Sequence, residues 1–144
     1  RIRNGEAEVI GSNGNARLRR PCAVAVAEDR TIYVLDTDGT RVVRILHGRA
    51  SVVMGTGVAG TSLGQLNAGP TGRLFVCGGR LYVSDTGNHR VLRWEPGTQE
   101  VVTVAGGSCG CAAHQLNHPG GMWVLGNGTL YVADTGNHRV MRWR

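Results

Sequence analysis

The stretch LYVSDTGNHRVLRW at residues 81–94 recurs as LYVADTGNHRVMRW at 130–143 and, in a more distant form, as IYVLDTDGTRVVRI at 32–45. The second and third copies share 12 of 14 residues, and the first shares 7 of 14 with the second. Successive copies of the aspartate in this stretch are 49 residues apart. A fixed period of this length is typical of repeat architectures, so the chain is predicted to contain three copies of one structural unit.

Each unit contains four short runs of the kind that form β-strands. In the second unit they cover 71–77, 80–85, 90–94 and 100–105, are rich in Val, Leu and Tyr, and are bounded by Gly, Asn and Asp. No segment has a helical period. Four strands in each repeat predict an all-β fold of four-stranded β-propeller blades. We place these blades at about 21–54, 70–105 and 119–143 in a single domain, 1–144.

The motif YVxDTGNHRVxRW, followed by a VxTVAG-like strand and an LNxP segment, resembles the NHL repeat. The resemblance covers nearly the whole chain and implies a propeller of about six blades around a channel. The first copy departs from the motif, with Asp38-Gly39-Thr40 in place of Gly-Asn-His. The resemblance therefore gives the first blade no counterpart of His89 and His138.

Counting strands predicts how the ring closes. Residues 7–11 (AEVIG) resemble an outermost strand without inner strands, and the last unit ends after its third strand. Three blades cannot close a ring, since propellers use about 4–8. We therefore predict a homodimer of six blades, in which residues 7–11 of each chain complete the last blade of the other. Two alternatives stay open, and a first residue that is Arg rather than Met is compatible with both. In the first, the chain is a fragment of a larger propeller. In the second, it was made to study repeat assembly.

The repeated aspartates and arginines are predicted to lock turns rather than to catalyse. Each Asp is expected to accept backbone N–H bonds within its own turn, and the Arg five residues later is expected to pair with it. Gly87 and Gly136 are expected to supply positive φ angles in these turns. The pairs are Asp36 with Arg41, Asp85 with Arg90, and Asp134 with Arg139.

The charge balance indicates a binding surface. All 16 basic residues are Arg, against 10 acidic residues, which gives a net charge of +6. Three of them, Arg17, Arg19 and Arg20, lie in a connection between blades, on the face that should also carry Asn88, His89, Asn137 and His138. A basic face suits an anionic partner. The resemblance to NHL-repeat propellers implies a protein partner at this face, and single-stranded RNA, which the Arg-rich face would contact, is the alternative.

Recurring aromatic residues are predicted to pack between blades rather than to stack on bases. They hold the same strand positions in successive units, at Tyr33, Tyr82 and Tyr131 and again at Trp94 and Trp143. Trp123 is not repeated and is predicted to pack as well.

The segment CGCAAHQLNH (109–118) contains a weak zinc candidate, formed by Cys109, Cys111, His114 and His118. The two cysteines are closer in sequence than structural zinc sites require. Both histidines occupy ordinary positions of the blade connection, and only Cys-Gly-Cys looks like an insertion. We predict no metal and no cofactor.

The inner strands argue against an enzyme. Propeller enzymes place polar or metal-binding side chains around the channel, whereas the runs at 22–27, 71–77 and 120–126 contain no His, Asp or Glu. GTGVAG (55–60) resembles a phosphate-binding loop but precedes no helical pattern. No apolar run reaches the roughly 18 residues of a membrane span, so no membrane partner is predicted. The sequence indicates no cellular compartment.

Overall fold

The computed structural model describes residues 7–10, 17–38 and 40–144. These residues form three antiparallel sheets in which spatial order follows chain order. The first sheet contains β1 (Pro21–Val26), β2 (Ile32–Asp36), β3 (Arg41–Leu46) and β4 (Arg49–Met54). The second contains β5 (Leu74–Cys77), β6 (Arg80–Asp85), β7 (Arg90–Glu95) and β8 (Glu100–Gly106). The third contains β9 (Pro119–Val124), β10 (Leu130–Asp134) and β11 (Arg139–Trp143).

The predicted all-β fold of propeller-like blades is confirmed, with β5 shorter than predicted. The strand begins at Leu74 rather than at residue 71, because the Arg73 backbone N–H donates to the side-chain hydroxyl of Ser84 in β6, at 2.7 Å, instead of to a backbone carbonyl of that strand. In the described part of the chain the helical pieces are two 3-10 turns, Thr86–Asn88 and Thr135–Asn137. None of the helices there is long and apolar enough to cross a membrane.

The third blade has three strands among the described residues. Of the predicted outermost strand 7–11, residues 7–10 have no regular secondary structure and are exposed, and residue 11 lies outside the described residues. The strand is therefore not paired within the described chain. Ring closure and strand exchange stay predictions.

Two apolar seams join the three blades. Each seam pairs the trailing face of one blade, which is turned toward the next blade, with the leading face of that next blade. Tyr33 and Val42 of the first blade meet Trp94 of the second, and the rings of Tyr33 and Trp94 lie edge to face at 6.0 Å. Tyr82 and Val91 hold the same positions at the seam between the second and third blades. The seams thus repeat one packing scheme.

The leading faces use seven equivalent apolar positions, which strand pairing aligns. Two of these faces are covered by a preceding blade, and the third, on the first blade, is open. The positions are Leu66, Leu74, Val76, Leu81, Val83, Leu92 and Trp94 in the second blade, Leu116, Met122, Val124, Leu130, Val132, Met141 and Trp143 in the third, and Leu18, Val24, Val26, Ile32, Val34, Val43 and Ile45 in the first.

The two outer faces of the blade stack expose side chains whose equivalents in the other blades are buried in the seams. Val140 on the trailing face of the third blade is 73% exposed, while its equivalent Val91 is fully buried. On the leading face of the first blade, Val24 is 63% and Val26 61% exposed. An apolar groove of about 590 Å³ runs along this face.

Candidate binding face

The connections between blades and the turns after β2, β6 and β10 lie at one end of the sheets. They meet because the backbone N–H of Asn67 donates to Asp85 Oδ1 at 2.6 Å and that of Asn117 donates to Asp134 Oδ1 at 2.7 Å. We call this end the loop face. It comprises residues 17–20, 37–38, 40, 56–69, 86–89, 107–118 and 135–138.

A buried ion pair organises the loop face in the second blade. Asp85 is fully buried, and its Oδ2 accepts from Arg90 Nε at 2.7 Å and from Asn88 Nδ2 at 2.8 Å. The other guanidinium N–H groups of Arg90 donate to three carbonyl oxygens of the preceding connection, those of Thr61, Ser62 and Gln65, at 2.6–3.0 Å. The pair therefore fixes the path of the connection.

The third blade repeats this arrangement around Asp134. Arg139 Nε lies 2.7 Å from Asp134 Oδ2, and the rest of the guanidinium donates to the carbonyls of Cys111, Ala112 and Gln115. Burial raises the pKa of the Asp134 carboxyl, but hydrogen bonds from Asn117, Asn137 and Arg139 outweigh burial and lower that pKa below its ordinary value. The carboxylate is thus held in its charged form.

The first blade contains the same pair. Arg41 donates to Asp36 Oδ2 at 3.1 and 3.2 Å and to the Arg17 carbonyl at 2.6 Å. Asp36 Oδ1 accepts from the backbone N–H groups of Arg19, at 3.0 Å, and Arg20, at 2.7 Å. The backbone of this connection is therefore fixed by the same chemistry.

The prediction of an Asx turn at these aspartates is wrong. Among the described residues, the Oδ1 atoms of Asp36, Asp85 and Asp134 accept N–H bonds from residues 16 to 18 positions earlier in the chain, not from their own turns. Each aspartate consequently joins two separate segments of the blade.

The prediction for the glycines is also wrong. The positive φ angles belong to His89, at 54°, and His138, at 53°, whereas Gly87 and Gly136 lie outside the left-handed region. Glycine is needed there for close approach, because a Cβ on Gly87 would lie 2.6 Å from the Asn67 carbonyl oxygen. Backbone proximity, and not backbone conformation, selects glycine in these turns.

The structure separates the predicted binding residues into two groups. Asn88 and Asn137 direct their amide groups inward, to the carbonyls of Gly60 and Gly110 and to the buried aspartates. Of the other predicted residues, Arg17, Arg19, Arg20 and His138 expose their side chains, and His89 is half-buried. Arg20 lies 3.8 Å from Asp38, and both side chains are more than half exposed, so this contact is weak.

One contact across a seam was not predicted. The backbone N–H of His118 donates to His89 Nδ1 at 3.1 Å, and the two rings lie edge to face with centroids 4.6 Å apart. Thr86 Oγ1 donates to the Pro119 carbonyl at 2.8 Å across the same seam. Sequence motifs within one blade give no signal for these contacts, which join one repeat to the next.

The His89 contact predicts a pH dependence of stability. Burial and, to a smaller extent, the charge of His118 lower the pKa of His89 below 6.5. As the pH falls through 6.5, the imidazole of His89 binds a proton more readily in the unfolded chain than in the folded chain. The free energy of unfolding should therefore fall as the pH drops from 7.5 to 5.5. Urea titrations should show a smaller fall for His89→Asn and an unchanged one for His114→Asn. Equal pH dependence in all three proteins would contradict this role.

The Cys-Gly-Cys segment is not an insertion. Cys109 forms an isolated β-bridge with Leu116, as Ala59 does with Leu66, so the two connections have equal length here. The sequence alone suggests an insertion because the two connections share few residues before the Gln-Leu-Asn segment. The cysteines replace ordinary residues of the repeat.

The weak zinc candidate finds no geometric support in the described residues. Among them, no three His, Cys, Asp or Glu side chains are placed to hold one metal ion. Cys109 Sγ lies 3.6 Å from Asn117 Oδ1, and both Cys109 and Cys111 are exposed free thiols.

Residues 69–94 and 116–142 match the family model of the NHL repeat. Two segments of the chain are therefore NHL repeats. The matched segments include the inner three strands of the second and third blades, together with the Asp-Arg turns. Comparison of this NHL-repeat chain with curated proteins gave no match.

Solved structures share its fold. Virginiamycin B lyase from Staphylococcus aureus, in a catalytically inactive form with quinupristin, is similar with a TM-score of 0.62 at 11% identity, over 87% of this chain and 38% of the lyase. Auxiliary nutrient binding proteins from Bacteroides thetaiotaomicron and Bacteroides ovatus are similar with TM-scores of 0.65 at 18% and 19% identity, each over 83% of this chain and 36% of theirs. The NHL-repeat chain thus spans less than two fifths of their length, and the likeness concerns the fold alone.

Proposed function

We propose that the NHL-repeat chain is a non-enzymatic recognition module that binds a protein partner through its loop face. The observation that carries this proposal is the contrast between two sets of arginines. Arg41, Arg90 and Arg139 are neutralised by aspartates, whereas Arg17, Arg19 and Arg20 extend exposed side chains from a fixed backbone. A fixed display of guanidinium groups suits carboxylates on a partner.

A protein partner is favoured over single-stranded RNA by the positions of aromatic side chains. RNA binders of this kind stack bases on exposed aromatic rings beside a basic groove. Among the described residues the large exposed aromatic side chain is Trp123. Pro119 marks the end of β9 at the loop face. Trp123 follows it by four residues along the strand, and so lies about 13 Å from the loop face.

The absence of catalysis is part of the proposal, since one structural neighbour is a lyase. In support, the inner strands β1, β5 and β9 carry no His, Asp or Glu that could act as acid, base or metal ligand. The identity of 11% carries no residue of the lyase over to this chain.

We further propose that a second copy covers both outer faces and completes a six-bladed ring. The open leading face of the first blade carries apolar residues at all seven positions that the covered leading faces use, from Leu18 to Ile45. The open trailing face offers Tyr131 and Val140 where the seams use Tyr82 and Val91. The two faces therefore suit each other. The described part of the predicted strand, residues 7–10, would then pair with β11 of the second copy, as Val9, 80% exposed, allows.

Binding of two labelled probes tests the proposed function. A fluorescent hexaglutamate peptide should bind the wild-type protein, and the triple variant Arg17→Ser, Arg19→Ser, Arg20→Ser should weaken binding by about tenfold. The matched control removes three arginines from the opposite end of the blades, as Arg30→Asn, Arg49→Ser and Arg80→Ser, and should bind nearly as well as the wild type.

A labelled twelve-nucleotide oligouridine serves as the competing probe. Binding of this RNA with a steep dependence on log salt, without binding of the peptide, would replace the proposed function by RNA binding. Equal losses in the triple variant and its control would show that net charge, and not the loop face, attracts the peptide.

A further inference from the structure

We infer that the binding site on the loop face is shared between two copies of the chain. It combines His138 of one copy with Arg17, Arg19 and Arg20 of the second, and it takes a carboxylate-rich peptide segment. The inference rests on the proposed function and on the proposed ring. Beyond these two proposals, the inference names the side chains that form the site and explains why the site lies at the junction between two copies.

The seam between the second and third blades supplies the geometry. There His89, which follows a 3-10 turn with a φ of 54°, lies against His118 of the next connection. His138 follows the equivalent turn of the third blade with a φ of 53° and is exposed. It is therefore placed to contact the connection of whichever blade follows.

The equivalent of His118 in the first connection is Arg20. The residue before each of them, Asn117 or Arg19, donates its backbone N–H to the Oδ1 atom of its blade's aspartate. In a ring closed by a second copy, Arg20 of that copy consequently lies against His138. Repeat geometry alone produces this contact.

The junction between copies is the most cationic seam of the ring. At the positions equivalent to His138 and Arg20, the seam between the first and second blades has Thr40 and Ala68. The seam between the second and third blades has His89 and His118 there. The junction has His138 and Arg20, with Arg19 and Arg17 next to them.

Carboxylates match this group of donors. Guanidinium groups bind carboxylates through two parallel N–H bonds, and an imidazole placed beside them adds a further donor. The exposed Asp38 near Arg20 is a weak competitor that an incoming acidic segment can displace. Two such sites exist in each ring.

A complementation experiment tests the sharing. One chain carries His138→Asn, because Asn tolerates the left-handed conformation, and the other carries Arg17→Ser, Arg19→Ser and Arg20→Ser. Each chain alone should bind hexaglutamate about tenfold more weakly than the wild type. The heterodimer, unfolded and refolded together and isolated through two different tags, should regain wild-type affinity at one of its two junctions.

The matched control places all four substitutions in one chain and pairs it with a wild-type chain. This heterodimer contains the same substitutions but no intact junction, so it should show no wild-type site. Equal binding by the two heterodimers, or unchanged binding by His138→Asn alone, would overturn the shared site while the proposed function stands. A wild-type protein that fails to bind the peptide would overturn both, and a wild-type mass of one chain would overturn the ring and the shared site.

Discussion

Asp85→Ala should lower the free energy of unfolding by about 3–5 kcal/mol, because it leaves the guanidinium of Arg90 buried without its counter-charge. Asp85 is fully buried, the Arg90 side chain is 8% exposed, and three polar hydrogens lose an acceptor together. Asp134→Ala should cost less, since Arg139 is 29% exposed and water can solvate it. Urea unfolding followed by tryptophan fluorescence measures both.

Asp38→Ala is the matched control for this prediction. It removes a carboxylate of the same kind from an exposed pair 3.8 Å long, so the expected loss is below about 1 kcal/mol. If Asp85→Ala and Asp38→Ala destabilise the protein equally, the buried pairs do not hold the loop face in place.

Val140→Glu should prevent the proposed dimer from forming. The wild type is expected at twice the chain mass of 15.3 kDa, and the variant at that mass, because a charge on the trailing face would be buried without a partner on association. Val26→Glu, on the leading face, should have the same effect, since each face is needed at both junctions. Light scattering coupled to size exclusion measures the mass.

Val58→Glu serves as the control for that result. Val58 is 62% exposed and belongs to the loop face rather than to either outer face of the blade stack, so the variant should stay dimeric. A wild-type protein of 15.3 kDa with a cooperative melt would instead favour further blades on a longer chain as the cover of these faces.

The sequence sufficed for the blades because the information is local and repeated. Alternating apolar residues around each DTGNHR segment place β6 and β7 within one residue of their predicted bounds. The pairing of Asp85 with Arg90 also follows from a short spacing. Repetition removes the ambiguity that one such segment would leave.

The sequence did not suffice for contacts that depend on approach between distant segments. Asp85 receives its N–H bond from Asn67, 18 residues earlier, and no local pattern encodes that pairing. The sequence predicts a conformational role for Gly87 because glycine usually has one, whereas the Asn67 carbonyl beside it in space excludes a side chain. The contact between His89 and His118 requires two blades in place at once.

In the proposed ring, the pairing of a trailing face with a leading face would make the assembly directional. Every blade in the ring must then present its connections to the same side, since a reversed copy would bring two leading faces together. The arginine clusters of both copies would therefore point in one direction, on opposite edges of a single disc. A ligand with two acidic segments of suitable spacing could engage both at once and gain avidity from effective concentration, without any additional contact.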